Sequence, residues 1–468
     1  MIPSRLEHVL RADATPMKLA RLFADAGFEL YLVGGSVRDA LLDRQQEGLR
    51  PGDYDFATGA RPQQTKEIVA GWADDVFTVG EAFGTIGVLH GDNVLEITTF
   101  RSDVYRDESR KPVVEFSDNI ETDVSRRDFT VNALALRMLP EPQMLDPYGG
   151  LTDLNEKVLR TPLDPEVSFE DDPLRMLRLY RFTSTLSFTP DPKAEEAVTR
   201  LRQRLGIVSS ERIRDELSKL LLGDKVGAAL WGLVRSGLAE EFIPEVPALG
   251  VEQDPLHRHK HVLAHTIAVV EKCPPDLVVR LAALFHDVGK PATREMGKEG
   301  VTFHHHEVVG ARMTKSRLRA LRYSKQESGD VARLVYLHMR PHTYKMGWTD
   351  RAVRRYVRDA EHLLEPLNAL VRCDVTTRDR QRARAIGRRI DELERRIAEL
   401  RTREELERLR PPIDGHQVME FLGIEPGPKV GEAIEMLTEH RIDEGPYTEE
   451  EAFVLLRRWA GEQGLGVP

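Results

Sequence analysis

The hydrophobic pattern of the chain changes period at about Gly150, and this change limits the folds that the chain can adopt. Before that point, short apolar runs bounded by turn residues predict strands at Leu30–Val33, Val76–Val79, Thr85–His90 and Val94–Phe100. After it, apolar residues recur every three to four positions, as in "DDPLRMLRLYRF" and "SSERIRDELSKLLL", which predicts helices. The sequence therefore predicts an α+β protein, with a mixed sheet near the N-terminus followed by helical domains.

The length of the chain predicts several domains. A single hydrophobic core seldom serves 468 residues, and the stretch "EVPALGVEQDPLHRH" has the proline and polar content of a linker. We place a boundary near Asp254 and predict four segments, at residues 1–150, 151–254, 255–379 and 380–468. The last segment begins with a long amphipathic helix, whose apolar residues are Ile386, Ile390, Leu393, Ile397 and Leu400.

Composition limits the partners and the compartment. The chain has 67 lysines and arginines against 77 acidic residues, a formal charge of −10, so it is not a uniformly basic nucleic-acid-binding protein. Clustered arginines, such as those between Arg378 and Arg396, can still form a local phosphate-binding patch, although most charged helix faces are only solvated. Two cysteines, the lack of a membrane-span-length apolar run and the lack of a visible secretory leader predict a cytoplasmic protein without a membrane partner.

The stretch "YLVGGSVRDALL", from Tyr31 to Leu42, ends an apolar strand at two glycines and then becomes helical. Two interpretations fit this pattern. The glycines are a flexible joint, or they let a triphosphate approach the backbone at the start of a helix, where N–H groups lack intrahelical partners. The stretch has neither the glycine spacing of dinucleotide sites nor that of P-loops, so neither of those sites is predicted.

Asp53 and Asp55, in "GDYDFAT", are separated by one residue, so on a strand both side chains point to one face. A cation between two such carboxylates relieves their repulsion, and the pair predicts a divalent metal site, most simply for Mg²⁺. The alternative is an ordinary turn that contains two aspartates. Glu96, which alternates with Leu95 and Ile97, is the candidate third carboxylate on a neighbouring strand, although an edge position would also explain an acid there.

Five motifs, in a fixed order, give the chain a resemblance to a known family: GGSVRD, DYDFAT, RRDFTVNALAL, DPYGGLTDL and EDDPLRMLRLYRF. They resemble the motifs of the class II tRNA nucleotidyltransferases, which are the CCA-adding enzymes and their bacterial poly(A) polymerase relatives. The whole pattern is most similar to the actinobacterial members with an HD domain. The resemblance implies a polymerase β-like nucleotidyltransferase head, a helical neck that recognises the base and binds RNA, an HD domain and a tRNA-binding tail.

The resemblance also implies an activity, the template-independent addition or repair of the 3′-terminal CCA of tRNA from CTP and ATP. The tRNA 3′-hydroxyl would attack the α-phosphate and release pyrophosphate, with two Mg²⁺ ions held by Asp53 and Asp55. The segment "DVYRDESRKPVVEFSDN", Asp103–Asn119, has the length of the family's mobile loop, which favours CCA or A addition over CC addition. The alternatives are a poly(A) polymerase or A-adding enzyme, and an HD-type phosphohydrolase acting on RNA ends.

Nucleotide-binding roles follow from the same resemblance. The candidate residues are Gly34, Gly35, Arg38, Arg127, Asp128, Asn132, Asp172, Arg175, Arg178 and Arg181. The two glycines and Arg38 would hold the triphosphate. Arg127 would pair with a phosphate and Asp128 would accept a hydrogen bond from the ribose 2′-hydroxyl, with Asn132 supporting both. For Asp128, the structural alternative is a helix N-cap.

Asp172 and Arg175 are three positions apart, which would place them on one face of one helix. The resemblance implies that this pair reads the Watson–Crick edge of the incoming base. The carboxylate would accept from the amino group of cytosine or adenine, and the guanidinium would donate to the ring acceptors. A purely local ion pair is the alternative. Arg178 and Arg181 continue along the helix and would face phosphates.

The histidine-rich segment resembles the HD phosphohydrolase superfamily. Its H…HD…D order is carried by His265, His286, Asp287 and Asp374, and in that superfamily such residues hold a divalent metal. The segments "FHHHEVVG" and "YLHMR" add histidines like the extra ligands of some members, namely His304, His305, His306 and His338. The first two of these are the predicted exposed spectators. The resemblance leaves open whether the domain hydrolyses phosphoesters or is structural.

The stretch "FLGIEPGPKVGEAIEML" resembles the tail of HD-containing members. Gly427, Lys429 and Gly431, placed before a helix, are predicted to contact an RNA backbone; a helix corner that only packs is the alternative. The predicted partners are the tRNA 3′ end, CTP and ATP, and the chain is predicted to be a monomer or a homodimer.

Overall fold

The structure, a computed structural model, describes residues 2–42, 53–104, 113–250, 261–297, 300–341, 348–375, 380–404 and 410–465. The chain forms two compact units, Met1–Pro244 and Glu245–Pro468. The predicted boundary near Asp254 lies outside the described residues, and the division into four segments stays a prediction.

The first unit combines strands and helices. Its strands are β1 (Leu30–Val33), β2 (Asp53–Thr58), β3 (Asp75–Phe77), β4 (Thr85–His90), β5 (Asn93–Thr99), β6 (Arg101–Val104), β7 (Val113–Phe116), β8 (Ala135–Arg137), β9 (Gln143–Leu145), β10 (Val158–Leu159) and β11 (Thr189–Pro190). Its α-helices are α1 (Thr15–Asp25), α2 (Gly35–Leu41), α3 (Pro62–Val69), α4 (Ile120–Ser125), α5 (Gly150–Glu156), α6 (Pro165–Asp171), α7 (Leu174–Leu186), α8 (Pro192–Leu201), α9 (Ser210–Leu221) and α10 (Val226–Arg235).

Seven strands form one mixed sheet in the order β3-β4-β5-β2-β1-β8-β9. The β2–β5 pair is parallel and its neighbours are antiparallel, which confirms the mixed sheet that the sequence predicts. All four residues of the inner strand β1 are buried, in keeping with its unbroken apolar run. The prediction for Val76–Val79 is partly wrong: β3 ends at Phe77, because the chain turns at Gly80 and leaves Val79 98% exposed.

The parallel pairing of β2 with β5 sets the position of the acidic residues. In this register Asp53 lies opposite Val94 and Asp55 lies opposite Glu96. Glu96 is on an inner strand, with β4 on one side and β2 on the other, so the edge position considered above is wrong. Partners across a parallel pair point to the same face of the sheet, and Asp55 and Glu96 are both exposed on it.

The helical part of the first unit is built around α7, which packs between α9 and α10. The prediction that Asp172 and Arg175 share one helix is wrong. Helix α6 ends at Asp171 and α7 begins at Leu174, with Asp172 in an extended conformation (φ −135°, ψ 97°) between them. Pro173 explains the break, because proline disfavours helical geometry in the residue before it.

The second unit is mainly helical, with one hairpin. Its helices are α11 (Val262–Lys272), α12 (Leu277–Phe285), α13 (His306–Ala320), α14 (Lys325–Leu337), α15 (Asp350–Ala360), α16 (Leu364–Cys373), α17 (Arg380–Glu404), α18 (Gly415–Leu422), α19 (Pro428–Glu444) and α20 (Glu449–Glu462), and its hairpin strands are β12 (Arg294–Gly297) and β13 (Gly300–Phe303). The long helix α17 confirms the predicted amphipathic helix, and its apolar residues from Ile390 to Leu400 are buried. Within the described residues, no helix is both long and apolar enough to cross a bilayer.

The last three helices share a small core of their own, which includes Val418, Leu437 and Leu456. Gly427 is the N-cap of α19. Lys429 and Gly431 lie inside the first turn of this helix rather than before it, because Pro428 is favoured at the first helical position and starts the helix early.

Candidate active site and metal centre

The position of Gly34, at the end of β1, requires glycine for two physical reasons. Its φ is +67°, a region that residues with a Cβ rarely adopt. A Cβ at this position would also lie 2.5 Å from Nη1 of Arg127. In this structure, therefore, the lack of a side chain at Gly34 lets the guanidinium group of Arg127 lie close to the backbone. Among the described residues, the buried Nε of Arg127 has no hydrogen-bond partner, while Nη2 donates to Asp123 at 3.1 Å.

The candidate metal carboxylates lie at the same end of the sheet as this turn. Because β1 and β2 are antiparallel, the start of β2 lies beside the end of β1. The backbone N–H of Asp55 donates to Oγ of Ser36, in the first turn of α2, at 2.9 Å. The exposed carboxylates of Asp55 and Glu96 share one face and supply the oxygen ligands that Mg²⁺ prefers. The side chain of Asp53 lies outside the described part of the structure.

A chain of hydrogen bonds connects the glycine turn to helix α7. Arg38, on α2, donates from Nη1 to Oδ1 of Asn132 at 2.5 Å, and Asn132 donates to Oδ1 of Asp128 at 2.8 Å. Arg178, on α7, donates from Nε to Oδ2 of Asp128 at 2.8 Å. The Nε and Nη2 of Arg38 bind the neighbouring Asp39 at 2.8 and 2.7 Å. Arg38, the predicted triphosphate residue, is thus linked through Asn132 and Asp128 to the helix that follows the predicted base-reading motif.

Asp128 is the central anion of this network. Burial alone would raise the pKa of its carboxyl group, but the positive charge of Arg178 and the hydrogen bond from Asn132 lower the pKa below its usual value. The N-cap alternative is wrong, since the short 3₁₀ turn Thr130–Asn132 has Phe129 as its N-cap. Asp128 accepts instead from the backbone N–H of Phe129 at 2.9 Å. Its role toward a ribose hydroxyl stays a prediction.

Glu216, on α9, is a buried partner of α7 that the sequence reading missed. Its two oxygens lie 3.5 Å from Nη1 of Arg178 and 2.9 Å from Nε of Arg181. Burial, and then the charge of Arg178, lower the pKa of Arg181 to about 10. The sequence held a signal for Glu216, because it falls on the apolar face that Ile213, Leu217 and Leu220 define at helical spacing.

Asp172 and Arg175 are anchored by different partners. Asp172 accepts from the backbone N–H of Leu174 at 3.1 Å and from Arg212, on α9, at 3.0 Å. The buried Arg175 donates to Oγ of Ser168 at 2.9 Å and to the backbone carbonyl of Arg126. The ion pair that Asp172 makes is therefore with Arg212, and the two candidate base-reading side chains are held independently of each other.

The predicted HD residues come together in the second unit. Nε2 of His265 lies 2.9 Å from Oδ1 of Asp374 and 3.2 Å from Nε2 of His286, and the latter lies 3.2 Å from Oδ2 of Asp287. His286 and Asp287 are almost completely buried at the end of α12. Among the described residues, ligand atoms of His265, His286 and Asp374 form one compact group suited to a metal ion.

A second group of ligand atoms, from Asp287, His306 and His338, lies on the other side of Asp287. Nε2 of His306 is 3.6 Å from Oδ1 of Asp287, whereas the first group faces Oδ2. The structure places His304 and His305 at the surface and buries His306 and His338.

The buried histidines present their Nε2 atoms in a common way. In His286, His306 and His338, Nδ1 is 2.7, 2.9 and 2.6 Å from the backbone carbonyl three residues earlier. Such a bond fixes the ring and leaves Nε2 as the metal-binding atom. Burial, followed by the charge of His286, lowers the pKa of His338 to about 3, so its Nε2 offers a lone pair at pH 7. In His286, burial is outweighed by the charge of Asp287, which raises the pKa to about 9, so this ring must release a proton when a metal binds. The donor set therefore fits a divalent metal.

Comparisons with known proteins agree with this architecture. Residues 30–160 match the family "Poly A polymerase head domain", residues 187–249 match "Probable RNA and SrmB- binding site of polymerase A", and residues 262–379 match "HD domain". An A-adding tRNA nucleotidyltransferase of Deinococcus radiodurans is 34% identical in an alignment of 447 positions, which covers 92% of this chain and 95% of that protein. The chain belongs to the class II tRNA nucleotidyltransferase family.

Two further similarities agree with this family. A CCA-adding enzyme of Bacillus subtilis is 41% identical over 227 residues, which are 48% of this chain, and the match spans about half (54%) of that enzyme. The crystal structure of the Bacillus stearothermophilus CCA-adding enzyme in complex with CTP aligns over 99% of this chain and all of that chain, with a TM-score of 0.68 and 23% identity. This structural similarity shows that the two chains share a fold.

Proposed function

We propose that this chain is a nucleotidyltransferase that adds or repairs the 3′-terminal CCA of tRNA, using CTP and ATP and releasing pyrophosphate. One observation carries the proposal: the Gly34 turn, the Asp55–Glu96 carboxylates and the arginines of α2 and α7 meet at one end of the inner strands of the head sheet. Oxygen ligands beside a concentration of guanidinium groups suit a metal-bound triphosphate.

The triphosphate end of the nucleotide is assigned to the glycine turn. Gly34 and Gly35 open the backbone at the start of α2, where Arg38 and Arg127 supply positive charge. A Cβ on Gly34 would lie 2.5 Å from Nη1 of Arg127, so a phosphate bound at this turn would lie close to that guanidinium. Asn132 holds Arg38 in place through its side-chain oxygen.

Asp53, Asp55 and Glu96 are the proposed magnesium ligands, with two Mg²⁺ ions expected during transfer. Bound there, the ions would stabilise the attacking 3′-hydroxyl oxygen and the leaving pyrophosphate. The protein's own contribution is positional: the parallel register of β2 and β5 sets Asp55 beside Glu96, and the bond to Ser36 ties Asp55 to the phosphate turn.

The base end of the nucleotide is assigned to the corner between α6 and α7. Asp172 would accept from the exocyclic amino group of cytosine or adenine, and Arg175 would donate to the ring acceptors. Arg178 and Arg181 extend the positive charge of α7, and Asp128 is the proposed acceptor for the ribose 2′-hydroxyl. Each of the two base-reading side chains is fixed by its own partner, which suits a site that reads the base by geometry.

Addition of the terminal A alone is the second candidate. It is favoured by the Deinococcus radiodurans relative, which bears the name A-adding enzyme and aligns along 92% of this chain. The base-reading chemistry of Asp172 and Arg175 accommodates either nucleotide, so the residues named above serve both candidates.

We also propose a divalent metal centre in the HD domain, held by His265, His286, Asp287 and Asp374, with His306 and His338 on the far side of Asp287. Phosphoester hydrolysis at RNA ends is the activity that such a centre would support. We also propose a cytoplasmic location, which the low cysteine content, two in 468 residues, supports.

In the tail, Gly427, Lys429 and Gly431 are the proposed backbone contacts to tRNA. In the structure Lys429 binds Glu432 at 2.6 Å and Gln463 at 3.1 Å. The pair with Glu432 is exposed and therefore weak, so a phosphate could displace it. We propose that the chain acts as a monomer or a homodimer.

The direct test supplies CTP, ATP and Mg²⁺ to tRNA transcripts that end before, within and after CCA. We expect C, C and A to be added and the reaction then to stop. The Asp55→Asn variant should lose at least ~100-fold in rate, as for the loss of a metal carboxylate. Asp92→Asn, an exposed aspartate in the turn between β4 and β5, is the matched control and should match the wild type. Addition of A only would select the second candidate, and the absence of any extension would refute both.

A further inference from the structure

Phe182, on α7, lies among three guanidinium groups. The centroid of its ring is 3.8 Å from Cζ of Arg181 and 5.5 Å from Cζ of Arg178. Cζ of Arg38, which comes from α2, lies 5.2 Å from the same centroid. Arg38 belongs to the proposed triphosphate end of the site, whereas the other two arginines belong to the helix that begins at the base-reading corner. One ring therefore contacts both ends of the site.

The orientation of this ring is fixed by packing. Phe129 and Phe182 meet edge to face, with an angle of 89° between the rings and 5.7 Å between their centroids. Both residues are buried. Phe129 directly follows Asp128, whose carboxylate binds Arg178, so the partner that orients the ring lies beside the anion that orients one of the arginines.

An aromatic ring has an electrostatic advantage at this position. Three guanidinium groups held close together repel one another, and the lowered pKa of Arg181 reflects burial together with the charge of Arg178. Carboxylates already hold two of these groups, since Arg178 pairs with Asp128 and Arg181 with Glu216, but each such pair offsets part of the charge that a triphosphate needs. The face of a phenyl ring attracts cations through its quadrupole and leaves their charge intact. An aliphatic side chain fills the same space without this attraction.

We propose that Phe182 is a positioning residue of the nucleotide site, which holds Arg38 at a fixed distance from helix α7. The triphosphate end and the base end of bound CTP or ATP are thereby kept in register. This inference rests on the proposed function. It follows that loss of the ring weakens nucleotide binding and base discrimination, whereas the chemical step at the carboxylates is largely unaffected.

The test compares Phe182→Leu with Phe182→Tyr. In CTP addition to a tRNA that lacks CCA, the leucine variant should raise KM about tenfold and change kcat less than about threefold. It should also increase the incorporation of UTP relative to CTP. The tyrosine variant keeps the aromatic face and should stay within about twofold of the wild-type KM. The dissociation constant for CTP, measured without tRNA, should follow KM.

Phe242→Leu is the matched control, because Phe242 is also buried in the first unit and undergoes the same change in volume. Equal KM values for the two leucine variants, or a fall in kcat at unchanged KM, would overturn the inference. If Phe182→Leu does not fold, Phe182→Met replaces it, and the rise in melting temperature produced by CTP reports binding. A wild-type chain that binds CTP without transferring it would refute the proposed function, and the binding comparison would still decide the role of Phe182.

Discussion

Replacement of Asp128 by asparagine should loosen the contact between helix α7 and the head. The carboxylate of Asp128 accepts bonds from Asn132 and the backbone of Phe129 through one oxygen, and from Arg178 through the other. Asparagine keeps the size of the side chain but loses the charge nearest to the Arg178 guanidinium, which then keeps only its longer contact with Glu216, at 3.5 Å. The exchange therefore tests how far one buried carboxylate anchors α7.

The magnitude follows from the burial of the two partners. The side chain of Asp128 is 8% exposed, but that of Arg178 is 31% exposed and remains partly hydrated after the change. Breaking a buried ion pair costs about 3–5 kcal/mol, and solvent screening at Arg178 places the cost at the lower end, about 3 kcal/mol. In hydrogen exchange this corresponds to an opening equilibrium that is about 100-fold more favourable, since each tenfold change is about 1.4 kcal/mol.

The assay is hydrogen exchange of the full chain, read by mass spectrometry on peptides that cover α7, Leu174–Leu186. Asp128→Asn should accelerate exchange there about 100-fold under conditions where exchange reports the opening equilibrium. Asp215→Asn is the matched control, because Asp215 is an exposed member of a surface ion pair with Arg214. That change should alter exchange by less than about fivefold. Acceleration below about threefold in Asp128→Asn would refute the anchoring role.

The pH dependence provides a second check. The pKa of Asp128 is lowered in the folded chain, so its contribution is fully present above the pKa of an unfolded aspartate, about 3.9, and is lost as pH falls through the lower folded value. The difference between wild type and Asp128→Asn, corrected for intrinsic exchange, should therefore be constant from about pH 5.5 to 8. A difference that changes across this range would indicate that another titrating group carries the effect.

Two further predictions concern the phosphate turn and the HD centre. Gly34→Ala should reduce kcat/KM for CTP at least ~10-fold, because its Cβ would displace the guanidinium of Arg127. The control is Gly71→Ala: Gly71 also has a positive φ, +84°, but its Cβ would meet open space, so this change should lower only stability. Equal loss of activity in both variants would contradict the role of Arg127. His338→Ala should lower the Zn²⁺ bound per chain by about one equivalent, because it removes a buried neutral imidazole from the ligand group. Bound Zn²⁺ is measured by elemental analysis after dialysis, with His305→Ala, at the surface, as the control. Equal metal content in both variants would show that His338 is not a ligand.

Patterns that depend on local spacing were predictable from the sequence. The apolar runs located β1 and β4, and the four-and-three spacing located α17, because burial of one face imposes these periods. The H…HD…D order, by contrast, located four residues whose side chains meet in the structure only through its resemblance to the HD superfamily, because His265 and Asp374 are far apart in the sequence. In the run of three histidines, burial of His306 alone depends on where α13 begins, which no local pattern specified.

Pairings between distant segments were not predictable in the same way. The position of Glu96 beside Asp55 depends on the parallel register of β2 and β5, in which paired residues such as these two are about forty positions apart in the sequence. Nothing in the alternation of β5 distinguishes an inner strand from an edge strand. Glu216 was missed because its partners are also distant in the sequence. A single acidic residue on an apolar helix face does not indicate an ion pair until the fold brings Arg178 and Arg181 of α7 beside it.

The corner at Pro173 shows why the predicted base-reading motif was given the wrong geometry. Spacing alone places Asp172 and Arg175 on one helix, where they would bind each other and lose their hydrogen-bonding groups to that pair. Proline instead puts Asp172 in an extended conformation before α7. Its carboxylate then binds Arg212, while Arg175 binds Ser168 and the Arg126 carbonyl. Because separate elements hold the two side chains, their spacing is set by the corner and its neighbours, and this arrangement can present an acceptor and a donor to the edge of one base.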